Sequence, residues 1–142
     1  MKNLFRLFPL PALLLLCGAL LLTGCPTTKD ALSRNDLATL KADHLAFIDK
    51  FTEGAGKTWD DAKLTSATAA LEKQFTDAEQ YAATKKDARR TKALSILHGQ
   101  FKRNAAMLSR KKALFRSTFA TELKTELSQD YDLALKGEDL RS

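Results

Sequence analysis

The chain has 142 residues, 44% of them hydrophobic and 28% charged, with a formal net charge of +6. That length suits one domain with one core. Past residue 25, Ala, Leu, Lys, Glu, Asp and Arg dominate and β-branched residues are mainly Thr, while all three prolines lie at or before residue 26; this is a helical composition and argues against a sheet.

Residues 1–24 read as a removable targeting segment. Lys2 and Arg6 make a positive start, a Leu-rich run extends from Leu7 to Leu22, and small residues precede Cys25, the layout of an export signal. Leu22-Thr23-Gly24-Cys25 resembles the box read by lipoprotein signal peptidase, Leu-(Ala/Ser/Thr)-(Gly/Ala)-Cys, at all four positions. The resemblance implies cleavage between Gly24 and Cys25, a diacylglycerol on the Cys25 thiol, and a further acyl chain such as palmitate on the new amine. Each buried CH₂ contributes about 0.8 kcal/mol, so two or three chains hold a protein on a bilayer durably. The competing reading, an uncleaved transmembrane helix, is opposed by Pro9 and Pro11 inside the segment. Residue 26 is Pro, not the Asp of inner-membrane retention. By analogy with enteric bacteria this favours the outer membrane, facing the periplasm, over the outer face of the cytoplasmic membrane. Cys17 leaves with the signal and Cys25 is lipidated, so the mature chain has no thiol or disulfide and depends on a hydrophobic core.

Residues 25–32 form the lipidated N-terminus and a polar tether, which at about 3.3–3.6 Å per residue keeps the folded part near the lipid. The bundle domain is expected over residues 33–137, with a loose tail at 138–142. A first helix is expected from Ser33, its N-cap, to Glu53, with an apolar stripe of Leu37, Leu40, His44, Phe47 and Phe51, stopped by Gly54 and Gly56. A second is expected from an N-cap at Thr58, burying Leu64, Ala67, Leu71, Phe75, Ala78 and Ala82. Continuing that register would bury Lys85, Arg89 and Lys92, so a break belongs near residues 84–88 with Asp87 as the next cap.

A third stripe of Leu94, Leu97, Phe101, Ala105 and Leu108 continues as Phe115, Phe119, Leu123 and Leu127. One helix from Asp87 to Lys136 would be about 70 Å long and would leave its second half uncovered in a monomer. An all-α, up-down antiparallel bundle of four helices, with a turn near Ser109 and a stop at Gly137, is therefore favoured over three helices ending in one long one.

No catalytic, metal or cofactor constellation emerges. Gly54-Ala55-Gly56-Lys57-Thr58 resembles the end of a phosphate-binding loop, but Phe51 stands where the first glycine is needed and a helix precedes it instead of a strand. His44 and His98 have no second ligand at helical spacing. A haem or metal held by a histidine and Met107 in the bundle is the reading from another functional class; the plainer one places His44 at the core edge and His98 on a helix surface. Trp59 reads as fixing the entry of the second helix, and Tyr81 and Tyr131 carry no signal.

Charge is the strongest feature. Residues 85–116 hold eleven basic side chains against Asp87 alone, while residues 25–84 and residues 117–142 each carry −3. Lys85, Lys86, Arg89, Arg90, Arg110, Lys111 and Lys112 are the candidate anion-binding surface, for anionic lipid or peptidoglycan. The plainer reading is pairing within the bundle, at about 0–1 kcal/mol per exposed pair. An envelope location and the lack of interleaved aromatics give no case for nucleic acid. The expectation is thus a lipid-anchored, non-enzymatic structural or binding module with an envelope protein as partner.

Overall fold

The computed structural model describes residues 29–52 and 58–141, and over them the chain is a four-helix bundle. Helix α1 spans Ala31–Lys50, α2 Asp61–Thr84, α3 Ala88–Lys111 and α4 Ser117–Asp139, with a 3₁₀ turn at Lys112–Leu114 between the last two. The helices alternate in direction. α1 lies between α4 and α2, α2 beside α3, and α3 closes against α4, as short connections dictate for antiparallel neighbours. Cys25, Gly24 and the glycines Gly54 and Gly56 lie outside the described residues.

Aspartates start three of the four helices. Asp30 accepts from the Leu32 N–H at 3.1 Å, Asp60 from Lys63 at 3.0 Å, and Asp87 from Arg89 at 3.0 Å and Arg90 at 3.1 Å. The expectation of Asp87 is met. Those of Ser33 and Thr58 are corrected: Ser33 is buried inside α1 and its hydroxyl donates to Asp30, and α2 begins at Asp61, capped by Asp60 two residues after Thr58. Both Asp and Ser or Thr can cap, but a carboxylate also meets the positive end of the helix dipole. The α3–α4 turn falls at residues 112–116, just past the expected Ser109, and the single long helix is excluded.

The core joins Leu37, Leu40, Phe47 and Ile48 of α1 to Leu71 and Phe75 of α2, Leu97, Phe101 and Leu108 of α3, and Leu127 and Tyr131 of α4. Phe101 sits at its centre, 5.3 Å from Phe47 and 5.5 Å from Phe75 between ring centroids. The first three stripes hold, except that Ala67 is only partly covered. The fourth is rotated. Phe115, Ala120, Leu127 and Tyr131 face inward, Leu123 is half-buried, and Phe119 lies outside at 47% exposure. A fresh helix starting at Ser117 is free of the register of α3, and Tyr131 rather than Phe119 fills the centre.

The C-terminal expectations are overturned. Gly137 does not stop α4, which runs on to Asp139, and residues 138–141 are no loose tail: Glu138 is buried and Arg141 largely so.

Candidate functional site

The basic residues of segment 85–116 do not share one surface. Helix α3 separates them, since its 24 residues at about 1.5 Å each span roughly 36 Å. Lys85, Lys86, Arg89 and Arg90 lie at the end where Asp30 leads the chain into α1; Arg110, Lys111, Lys112 and Arg116 lie at the opposite end.

At the entry end, Arg90 belongs to the interior rather than to an anion-binding surface, which corrects the expectation for that residue. It is 3% exposed and makes a two-pronged pair with Glu138, Nε to Oε1 at 3.0 Å and Nη2 to Oε2 at 2.7 Å. Asp30 approaches the same guanidinium at 3.5 Å. Arg141 closes the group by pairing with Asp87 and by lying 3.0 Å from Glu138. Three segments distant in sequence (the lead into α1, the α2–α3 turn with the start of α3, and the end of α4) thus meet in one charged clasp. The Glu138 pair, with burial opposing it, raises the affinity of Arg90 for its proton. Burial works to raise the Asp30 carboxyl, but hydrogen bonds from Tyr81, Ser33 and the backbone outweigh it and hold the group below the usual carboxylate range.

Lys85 is held too, 3.8 Å from Asp30 and over the Tyr81 ring at 4.7 Å. Lys86 and Arg89 stay exposed and make no ion pair among the described residues. Lys86 carries a positive φ of 53°, which turns the chain from α2 into α3. A shallow depression of about 700 Å³ lies beside it, over Lys86, Thr91, Lys92 and Ile96.

Both histidines are more deeply buried than expected. His44 is fully buried at mid-bundle, its Nδ1 3.3 Å from the Tyr131 hydroxyl and its Nε2 3.2 Å from the Asn104 amide. Both ring nitrogens are engaged, so neither is open to a metal or haem iron in this arrangement. Burial pushes its pKa down to about 4 and drives that of the Tyr131 hydroxyl upward, with the Asp43 charge adding to it. The buried polar line from α1 to α3 and α4 was invisible in sequence because its members are 60 and 87 residues apart.

His98 is buried between α3 and α2, stacked on Phe75 with ring centroids 4.8 Å apart. Its Nδ1 lies 3.0 Å from Glu79. Its Nε2 is as close to Glu72 but off the hydrogen-bonding direction. Among the described residues no three His, Cys, Asp or Glu side chains converge as a metal cage.

At the opposite end, too, large apolar and basic side chains meet in the open. Phe51 and Trp59 pack there at 5.9 Å, and Trp59 donates to Asp61 at 2.9 Å, fixing the start of α2 as expected. Beside them Met107, Leu114, Phe115 and Phe119 line a cleft of about 370 Å³ flanked by Lys111 and Arg116. Leu114 is 77% exposed. Lys112, at φ 49° and ψ −132°, makes the turn that presents it and reaches Asp61 at 3.1 Å. No described helix is long and apolar enough to cross a membrane. Comparison of the chain with protein-family profiles, curated proteins and solved structures finds no match.

Proposed function

We propose that the protein is a lipid-anchored component of a bacterial cell envelope, a non-enzymatic helical module that binds another envelope protein. The observation that carries this reading is the box Leu22-Thr23-Gly24-Cys25, placed five residues ahead of Asp30, where the bundle begins. Acyl chains on Cys25 would hold the entry end of the bundle against the bilayer and leave the opposite end projecting. Pro26, standing where Asp would signal inner-membrane retention, favours the periplasmic face of the outer membrane. A second reading, contact with anionic lipid or cell-wall polymer, is supported by the exposed Lys86 and Arg89 at the entry end, where they would face headgroups.

Replacing Cys25 by Ala tests the anchor. The variant is expected to persist as precursor and to take up no fatty-acid analogue, while mass spectrometry of the parent protein finds its N-terminus at a diacylglyceryl-modified Cys25. Labelling of the variant at the parent level would reject the lipoprotein reading.

A further inference from the structure

We propose that the end of the bundle remote from Asp30 docks an acidic protein segment carrying a bulky apolar side chain. The proposal rests on the reading of the chain as a protein-binding module and names the surface and the chemistry of its partner.

Leu114 and Phe119 are exposed without serving the core. The turn between α3 and α4 closes through buried Phe115, and a polar residue at position 114 would connect the helices equally well. Yet Leu114, Phe119 and Met107 form a continuous apolar lining, with Phe119 packed edge-on against Phe115 at 5.5 Å. Lys112 holds the turn in a backbone conformation that side-chain-bearing residues rarely adopt, and strain of this kind collects at functional positions. An apolar cleft of about 370 Å³ has room for one large side chain, of the sort that anchors interfaces.

Charge selects the occupant. Between Asp87 and Glu122 the sequence has no acidic residue. Arg110, Lys111 and Arg116 make no ion pair among the described residues, whereas Lys41, Lys102 and Lys124, along the sides of the bundle, each pair with an acid of another helix. The dipole of α3 accounts for cations at its C-terminus; it does not account for the apolar lining beside them. Two copies meeting cleft to cleft would set Lys111 and Arg116 against their counterparts, which disfavours self-association through the cleft. The bilayer that would carry the Cys25 acyl chains lies at the other end. An acidic, apolar protein segment satisfies both halves of the surface and, through charge, would be drawn to it from a distance.

A photo-crosslinking amino acid placed at Leu114 or Phe119 of the full-length protein, in the cells that make it, tests the assignment, with exposed Ile96 on the side of α3 as the comparison position. Protein adducts are expected at 114 and 119 and not at 96, and peptide mapping should place them on a segment rich in Asp and Glu around an apolar residue. Lys111→Glu with Arg116→Glu should lower the yield about tenfold, as opposed charges become like ones. If that pair melts early, Lys111→Gln with Arg116→Gln replaces it. Lipid adducts, adducts on a segment without acids, or a yield indifferent to both charge variants would overturn the proposal. Protein adducts at 96 but not at the tip would reject the tip alone and leave the module reading standing. No protein adduct at any of the three positions would reject both.

Discussion

His44 occupies a place in this core among apolar residues, and its protonation is where the cost of burying a titratable group appears. Folded, its pKa is pushed down to about 4 by burial; unfolded, it returns to its ordinary value of 6.5. Between those values the unfolded chain takes up a proton that the folded one refuses, so stability is full above the upper value and drains away as pH falls towards the lower. The loss approaches about 1.4 kcal/mol per pH unit across the window, about 3 kcal/mol in all. Urea unfolding at about pH 7 and about pH 5 should show it as a lower midpoint at the acid value. His44→Leu should lower stability at neutral pH, because Tyr131 and Asn104 lose a buried partner, and should flatten the fall with acid. An unchanged pH slope in that variant would assign the acid sensitivity to carboxylates instead. In return, the hydrogen bonds of His44 demand one register of α1 against α3 and α4, which a uniformly apolar core would not.

At the scale of the elements, neighbouring positions at the end of α4 should respond in opposite senses. Gly137 lies within the helix, and a Cβ added there meets nothing within 4 Å. Gly137→Ala should therefore stabilise by about 0.5–1 kcal/mol. Glu138→Ala leaves Arg90 buried without its main partner and should destabilise by about 3–5 kcal/mol, towards the lower figure because Asp30 stays nearby. Denaturant midpoints of the two variants check both signs. This pair also shows where local reading ends. The helices, their number and most inward faces were legible because apolar side chains recur every three or four residues, and the charges at 85, 89 and 92 forced the break. A glycine near a chain end is a stop signal locally; what carries α4 through Gly137 is Glu138 reaching Arg90, 48 residues away in sequence. The same holds for the clasp, the buried His44 line and the rotated face of α4. The basic segment was legible as a run, but its partition between the two ends depends on where α3 starts and finishes, and the open cleft at the tip on a turn that helix length and coverage placed a few residues early.

Over the described residues the molecule is a rod with two unlike ends, one tied by buried ion pairs and the other open. Trp59, the only tryptophan, belongs to the open end, which makes it a reporter of posture. With the lipidated protein in vesicles containing phosphatidylglycerol, lipids brominated along their acyl chains should leave Trp59 emission unquenched, since roughly 36 Å of helix stands between it and the entry end. Strong quenching would mean a bundle lying flat on the bilayer. The clasp has a mechanical consequence for such a posture. A partner held at the tip and an anchor held in the membrane would pull on the molecule along its length, and the load would enter at Asp30. Because Asp30, Arg90, Glu138, Asp87 and Arg141 are joined there, tension would be shared at once among the first helix, the third and the last instead of peeling α1 away one turn at a time. The charged end would then work as a rivet between the anchoring segment and a stiff strut.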